Sequence, residues 1–180
     1  PAALTGKDCI GQARTGTGKT AAFLLPIFEH FFKGEHIRAL ILAPTRELAV
    51  QIGGECEKLS GTLPPRATCV YGGQPIRKQI THLQSDPDIV VATPGRIIDH
   101  HKRGSISFNR FSIVVLDEVD RMFDMGFRQD IFYILNHCAN RKQTLFLSAT
   151  LPDDILRLTE KSMKDPIKVN AISEGSSMSV

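Results

Sequence analysis

Residues 13–20 read ARTGTGKT, a glycine-rich segment that ends in a lysine and a threonine. Its glycines let the backbone turn tightly enough to direct several N–H groups at one anion, and the positive end of a helix beginning at Lys19 and Thr20 would face the same point. In such a P-loop the lysine neutralises the β- and γ-phosphates of a nucleotide, and the threonine hydroxyl binds Mg²⁺. The residues expected to contact the nucleotide are Ala13, Thr15, Gly16, Thr17, Gly18, Lys19 and Thr20.

The residues on either side of this loop support that interpretation. Residues 9–13 form a short, mostly apolar run after the turn-like residues 5–8, and the largely apolar residues 21–28 indicate a buried helix. A strand, a loop and a helix therefore occur in the order that a P-loop requires. The strict pattern has glycine where this chain has Ala13, and the alternative is a glycine-rich surface turn that happens to precede a lysine.

Length and composition are typical of one domain whose core is large enough to need no disulfide or metal. The four cysteines are widely separated in mostly apolar stretches, which favours reduced core thiols. No apolar run approaches the roughly 18 residues of a membrane span, and the first residues lack the features of a signal peptide. We expect an intracellular protein of the cytoplasm or the nucleus, including the nucleolus, that is monomeric, not secreted and not associated with a membrane.

The charge balance permits a polyanionic partner but does not identify one, because the net charge is only +3. Among the six histidines, His100 and His101 are adjacent. Chain neighbours do not share a helix face and no cysteine is near them, which favours solvated or phosphate-contacting side chains over metal ligands.

Short apolar runs alternate with segments of helical periodicity. Most of the runs are apolar throughout, which is typical of strands covered by helices on both faces. The alternation predicts an α/β fold: a doubly wound, mainly parallel sheet of about seven strands with helices on both faces. The predicted strands are residues 9–13, 39–43, 67–71, 89–92, 113–116, 144–147 and 167–169.

Six unusual segments follow the first six predicted strands. Parallel strands bring their carboxyl ends to one edge of the sheet, where ligands bind in open α/β sheets. We therefore expect these segments to form one surface. They are residues 13–20, 44–49, 72–73, 93–96, 117–120 and 148–150.

The acidic segment DEVD, residues 117–120, follows a strand of apolar residues. An unpaired carboxylate beside a buried strand is costly, and a magnesium–phosphate complex would explain it. Asp117 is expected to bind Mg²⁺ directly or through water, and Glu118 to orient and deprotonate an attacking water, which makes Lys19, Asp117 and Glu118 the candidate catalytic residues. The alternative is that the acidic residues simply cap the next helix.

Asp120 has several open roles, because it is suited to cap that helix, to bond Ser148 or Thr150, or to do both.

The other strand-end segments are ordinary turns when each is considered alone. Together they offer backbone N–H groups, hydroxyls and guanidinium groups, which suit a sugar–phosphate backbone held without base reading or stacking. The expected nucleic-acid contacts are Pro44, Thr45, Arg46, Gly72, Gly73, Thr93, Pro94, Gly95 and Arg96.

From residue 4 to residue 169, the segments ARTGTGKT, PTRELA, GG, TPGR, DEVD and SAT closely resemble the amino-terminal RecA-like domain of the DEAD-box ATP-dependent RNA helicases. They occur in that family's order and at its approximate spacing, and its phosphate loop commonly begins with alanine. The resemblance implies that Lys19, Thr20, Asp117 and Glu118 serve ATP and Mg²⁺. It also implies that the nucleic acid held by the strand-end segments is RNA, and that Asp120, Ser148 and Thr150 couple the two sites.

The resemblance implies an RNA-stimulated ATP hydrolase that couples hydrolysis to local RNA unwinding. Two alternatives remain: a clamp or scaffold that uses ATP only to stay closed on RNA, and a helicase that acts on DNA. Retention of Lys19, Asp117 and Glu118 favours the enzyme over the clamp. Residues 1–170 are expected to form the domain, and residues 171–180 to begin a flexible linker to a second RecA-like domain.

Three features depart from the family pattern. Val119 stands where the family usually has alanine, and its two extra methyl groups are expected to disturb packing by roughly a kcal/mol while the chemistry persists. The adenine-reading segment would lie before Pro1, so Gln12 is not its glutamine. The arginine finger of the second domain contributes about 10³–10⁵ in rate, so these 180 residues alone should bind nucleotide but hydrolyse it very slowly.

Overall fold

The computed structural model describes residues 2–13 and 18–171. Three predicted nucleotide contacts, Thr15, Gly16 and Thr17, lie outside the described residues, as do residues 172–180 of the expected linker. Within the described part of the chain, none of the helices combines the length and the apolar character needed to cross a membrane.

Parallel pairing joins the strands of the described residues into one seven-stranded sheet. The order across the sheet is β3-β4-β2-β5-β6-β1-β7, with β1 and β6 paired from Cys9 opposite Leu145 to Gln12 opposite Ser148. The predicted parallel α/β fold is therefore confirmed. The strands are β1 (Cys9–Gln12), β2 (Ala39–Leu42), β3 (Ala67–Val70), β4 (Ile89–Ala92), β5 (Ile113–Leu116), β6 (Gln143–Ser148) and β7 (Ile167–Asn170).

Helices connect the strands and cover both faces of the sheet. On β2, Leu40 and Leu42 point to a core shared with α3 to α7, whereas Ala39 and Ile41 point to a core shared with α1 and α2. Each central strand is buried on both sides, which is why the strands are apolar throughout. The helices are α1 (Lys19–Phe32), α2 (Arg46–Ser60), α3 (Ile76–Gln84), α4 (Pro94–Lys102), α5 (Val119–Asp124), α6 (Arg128–His137) and α7 (Asp153–Ser162), with 3₁₀ turns at Ala2–Thr5 and Phe108–Arg110.

The four cysteines are free thiols in apolar surroundings, and all except the half-buried Cys69 are buried. Burial raises the pKa of the Cys56 and Cys138 thiols to about 12 and that of Cys69 to about 11. These thiols are therefore protonated at neutral pH and unreactive as nucleophiles. This agrees with the expectation of reduced core cysteines.

A close contact between α2 and β3 leads to a test of the packing. A Cβ atom at Gly53 would overlap the Cys69 sulfur, whereas a Cβ at Gly54 would meet nothing within 4 Å. Gly53→Ala is therefore expected to lower the free energy of unfolding by about 1–3 kcal/mol. The matched control Gly54→Ala should raise it by about 0.5–1 kcal/mol, because alanine favours the helix.

Urea unfolding of both variants measures these changes. Replacing Cys69 with alanine in the Gly53→Ala background should restore most of the lost stability, since it removes the overlapping sulfur. Equal stability of Gly53→Ala and Gly54→Ala would contradict the contact.

Candidate functional site

Hydrogen bonds beyond the strand ends hold several predicted site residues in place. After β1, β2, β4 and β5 the sheet ladder continues past the last strand residue: the N–H of Ala13 donates to Ser148 O (3.1 Å), that of Ala43 to Ala92 O (2.9 Å), that of Thr93 to Val70 O (3.0 Å) and that of Asp117 to Leu42 O (2.9 Å). The first residue of each of these loops is thus fixed by a neighbouring strand. The described residues of the six predicted segments do meet at one edge of the sheet, because every strand is parallel.

The described ends of the phosphate loop have the predicted geometry. Gly18 adopts a left-handed conformation (φ 79°), which glycine accepts without steric cost, and α1 begins at the next residue, Lys19, as expected. Thr20 is half-buried in the first turn of that helix. At the other end of the loop, the Gln12 side-chain amide donates to Ala149 O (3.2 Å), which joins β1 to the segment after β6.

Two buried side chains of opposite charge stand on either side of β6. Lys19 is only 9% exposed and Asp117 only 3%. Neither Lys19 Nζ nor Asp117 Oδ1 has a hydrogen-bond partner among the described residues. Since β6 separates β1 from β5, the start of the phosphate loop and Asp117 lie about 10 Å apart at the backbone, which is two strand spacings.

The electrostatics of Asp117 reflect this arrangement. Burial raises the pKa of its carboxyl to about 6, and the neighbouring carboxylates of Glu118 and Asp120 add to the effect. The charge of Lys19 acts in the opposite direction, which means that the lysine and the carboxyl are close enough to interact. The site is therefore ready to receive both an anion and a cation, each of which would relieve a buried charge.

Glu118 has a strained backbone. Its φ of 53° lies in the left-handed region, which is uncommon for a residue with a side chain. The side chain is 13% exposed, and its Oε2 accepts a hydrogen bond from Arg121 Nη1 (3.3 Å). Glu118 occupies the position before α5, but its side chain makes no capping bond. Val119, the departure from the family pattern, is the first residue of α5, and its side chain is fully buried in the core.

Asp120 bonds the segment after β6. Its Oδ2 accepts hydrogen bonds from the amide (3.0 Å) and the hydroxyl (2.9 Å) of Thr150, and its own amide donates to Ser148 Oγ (3.3 Å). Burial alone would raise the pKa of Asp120, but the hydrogen bonds from Thr150 and its neighbours lower it below its usual range. Its Oδ1 also accepts a hydrogen bond from the Arg121 amide (3.0 Å) in the first turn of α5. Of the roles left open by the sequence, Asp120 therefore fills both, because it ties the ends of β5 and β6 together and bonds an amide at the start of the helix.

The predicted nucleic-acid contacts occupy the other half of the edge, at the ends of β2, β3 and β4. Thr45 caps α2, since its hydroxyl accepts from the Leu48 amide (3.3 Å). The exposed Arg46 lies over the Tyr71 ring, with 5.4 Å between its guanidinium carbon and the ring centroid. A Cβ at Gly73, where φ is 82°, would lie 3.9 Å from Arg46 Nη1, so the arginine also borders the glycine loop.

The TPGR segment begins α4. Pro94, the first helical residue, is buried, Gly95 is exposed, and the preceding Thr93 makes no side-chain capping bond. Arg96 is half-buried, and its Nη1 donates to Gln74 O (2.8 Å) and to Gln79 Oε1 (3.2 Å). Arg96 thus supports the loop that contains Gly72 and Gly73, in addition to its expected role in contacting nucleic acid.

Sequence reasoning missed two residues of this half, Gln79 and His100. The expectation that His100 is solvated or contacts phosphate is wrong: it is fully buried and bonds Gln79 Oε1 through Nε2 (2.9 Å). Its neighbour His101 stacks on Phe108, with ring centroids 4.2 Å apart. The sequence did offer one sign of this arrangement: Arg96 and His100 are four residues apart, which places both on one face of α4.

Comparison with known proteins decides the family. The sequence profile of the DEAD/DEAH box helicase family matches residues 1–158. The chain belongs to the DEAD/DEAH box helicase family. The profile thus covers most of the domain, including the phosphate loop, the acidic segment and the residues after β6, and the resemblance drawn from the motifs is confirmed.

Relatives within the DEAD/DEAH box family are longer than this chain. It is 49% identical to the DEAD-box ATP-dependent RNA helicase CshA of Geobacillus kaustophilus, with 95% of this chain and 37% of that protein aligned. It is 46% identical to the DEAD-box ATP-dependent RNA helicase RhpA of Helicobacter pylori, with 94% of this chain and 35% of that protein aligned. The chain therefore spans little more than a third of the length of these relatives.

Two solved structures share the fold. A hypothetical ATP-dependent RNA helicase from Sulfolobus tokodaii superposes with a TM-score of 0.89 at 38% identity, over 95% of this chain and 50% of the other. A DEAD box protein from the hyperthermophile Methanococcus jannaschii also superposes with a TM-score of 0.89. The two sequences are 43% identical, and the superposition covers 95% of this chain and 47% of the other. In both comparisons the chain corresponds to about half of the solved chain.

The raised pKa of Asp117 predicts a pH-dependent stability. Its folded value of about 6 lies above the value near 3.9 of an unfolded chain, so the folded state binds the proton more tightly and loses stability as pH rises through about 6. Asp117→Asn removes this loss. The variant should be more stable than the wild type by about 2–3 kcal/mol at pH 8 and by only about 1 kcal/mol at pH 4.5.

Urea unfolding without nucleotide or divalent cation measures the difference at each pH. Asp124→Asn, which alters an exposed carboxylate on α5, serves as the control and should change stability by less than about 0.5 kcal/mol at both pH values. An Asp117→Asn protein that is no more stable than the wild type at pH 8 would show that the carboxyl is not destabilised by burial.

Proposed function

We propose that this chain is the ATP- and RNA-binding core domain of an ATP-dependent RNA helicase, which couples ATP hydrolysis to local RNA unwinding. The observation that carries the proposal is the pair formed by Lys19 and Asp117, two buried groups of opposite charge with polar atoms left unbonded by the described residues. Such groups are costly unless a ligand completes them. The names of the relatives, ATP-dependent RNA helicases, support the same function.

The residues present fit a triphosphate and a divalent cation. The Lys19 ammonium suits the β- and γ-phosphates, and the backbone amides of residues 13–18 would hold the rest of the phosphate chain. Asp117 and Thr20 offer the oxygen ligands that Mg²⁺ prefers. When bound, the metal would neutralise phosphate charge and polarise the transferred phosphoryl group.

Glu118 is the proposed base that orients and deprotonates the attacking water. Its hydrogen bond to Arg121 and its restricted backbone limit the directions that its carboxylate can take. The hydrogen bonds of Asp120 to Ser148 and Thr150 join the acidic segment to the end of β6. We propose that this link couples the nucleotide half of the edge to the RNA half.

RNA would bind the half of the edge formed by the ends of β2, β3 and β4. Arg46, Arg96 and the exposed amides of the glycine loop are suited to phosphate and sugar oxygens, which gives binding independent of sequence. A second RecA-like domain would close over the same edge and supply an arginine to the phosphates. On this proposal the protein works inside the cell as a monomer.

Lys19→Ala should weaken binding of a fluorescent ATP analogue with Mg²⁺ by at least about tenfold, because the phosphates lose their buried cation. Fluorescence titration of the 180-residue chain measures the dissociation constant. Lys33→Ala, at an exposed residue beyond the end of α1, is the control and should bind as the wild type does. Equal affinities of the two variants would contradict the phosphate site.

Glu118→Gln distinguishes the enzyme from a clamp in a protein that joins this chain to the second domain. We expect RNA-stimulated ATP turnover to fall by about 10²–10⁴, the usual contribution of a general base, while ATP-dependent RNA binding is kept. A clamp would lose little function. Stimulation of the wild-type ATPase by DNA as strong as by RNA of the same sequence would instead indicate a motor on DNA, since contact with the 2′-OH separates the two.

A further inference from the structure

Gln79 is the centre of a buried polar network behind the proposed RNA surface. It lies on α3 and is only 4% exposed. Its side-chain nitrogen donates to Tyr71 O (2.8 Å), and its side-chain oxygen faces both Arg96 Nη1 (3.2 Å) and His100 Nε2 (2.9 Å). One amide therefore joins α3, α4 and the end of β3.

The partners of Gln79 fix the direction of each hydrogen bond. Arginine only donates and a carbonyl only accepts, so the amide oxygen must face Arg96 and the amide nitrogen must face Tyr71 O. His100 consequently donates from Nε2, and as a neutral ring it carries a lone pair on Nδ1. That Nδ1 is buried without a partner among the described residues.

Burial first, and the positive charge of Arg96 second, hold the pKa of His100 below its usual range. Arg103 acts in the same direction and Asp99 in the opposite one; Arg96 and Asp99 lie on α4, and Arg103 is the residue directly after its end. From α3 the ring meets the neutral Gln79. His100 is therefore an uncharged donor at neutral pH.

The network holds the glycine loop from both sides. Tyr71 O, just before Gly72, accepts from Gln79, and Gln74 O, just after Gly73, accepts from Arg96. The two glycines between these carbonyls are exposed at the edge of the sheet. The position of the loop therefore depends on Gln79 and Arg96, and the orientation of both depends on the shared oxygen that His100 also bonds.

We propose that His100 and Gln79 are positioning residues for RNA binding: they hold Arg96 and the Gly72–Gly73 loop in the arrangement that receives the RNA backbone, without touching RNA themselves. The inference rests on the proposed RNA-binding function. A role in packing alone would be served better by an apolar residue, because His100 leaves a buried nitrogen unbonded and this costs about 1–3 kcal/mol. The histidine at this buried position is therefore best explained by the bond that its Nε2 donates to Gln79.

The test compares two substitutions of His100 in the 180-residue chain. His100→Leu removes the donor, whereas His100→Gln keeps an N–H group near the place of Nε2. With ATP analogue and Mg²⁺ present, we expect His100→Leu to weaken binding of a fluorescent single-stranded RNA about tenfold and His100→Gln to weaken it less than about threefold. Affinity for the ATP analogue should be unchanged in both.

A matched pair of glutamines separates positioning from stability. Gln143 is as buried as Gln79 (3% against 4% exposed), but its amide donates to Ala3 O and Lys7 O at the opposite edge of the sheet. Both Gln79→Leu and Gln143→Leu remove a buried amide and should lower stability. Only Gln79→Leu should weaken RNA binding.

Hydrogen exchange of residues 71–75, measured without RNA, tests the loop directly. We expect His100→Leu and Gln79→Leu to speed exchange there at least about threefold, with His100→Gln and Gln143→Leu close to the wild type. If the wild type fails to bind RNA, the proposed function is wrong, and the exchange data still decide whether the network holds the loop. His100→Met replaces His100→Leu if the latter does not fold.

Two results would overturn the inference. One is a folded His100→Leu protein that binds RNA and protects the loop as the wild type does. The other is a His100→Gln protein as defective as His100→Leu, since a donor would then not be what the position requires.

Discussion

The parallel hydrogen-bond ladder is the interaction on which the whole edge depends. Because every strand runs in the same direction, each loop of interest leaves the sheet on the same side. The ladder then extends beyond the strands to Ala13, Ala43, Thr93 and Asp117, whose amides each bond a neighbouring strand. These site residues are therefore positioned directly by the hydrogen bonds of the sheet.

The strand order divides that edge into two halves. The ends of β5, β6 and β1 carry the charged groups Asp117 and Lys19, and the ends of β3, β4 and β2 carry the glycine loop and the arginines. The pairing of β2 with β5 is the seam between the halves, where the Asp117 amide bonds Leu42 O. A shift of β5 relative to β2 would thus displace the two halves of the edge relative to each other.

Much of this architecture is visible in the sequence because the physical causes are local. Strands buried on both faces are apolar throughout. The left-handed backbone conformation directly before Lys19 favours glycine, and the chain has Gly18 there. The order of the strands is not local, so the adjacency of β5, β6 and β1 could not be derived. Gln79 and His100 were missed for the same reason: each is polar and lies on a largely polar helix, and only the packing of α3 against α4 buries them.

The start of α4 has a consequence for what the surface can distinguish. Pro94 supplies no N–H group, and the following residue, Gly95, has no side chain and has open space where a Cβ atom would lie. An oxygen atom that approaches Gly95 therefore contacts the main chain first, and not a side chain able to distinguish one nucleobase from another. On the proposed RNA-binding function, this part of the edge would respond to the phosphate spacing of a strand and would contribute nothing to base selection.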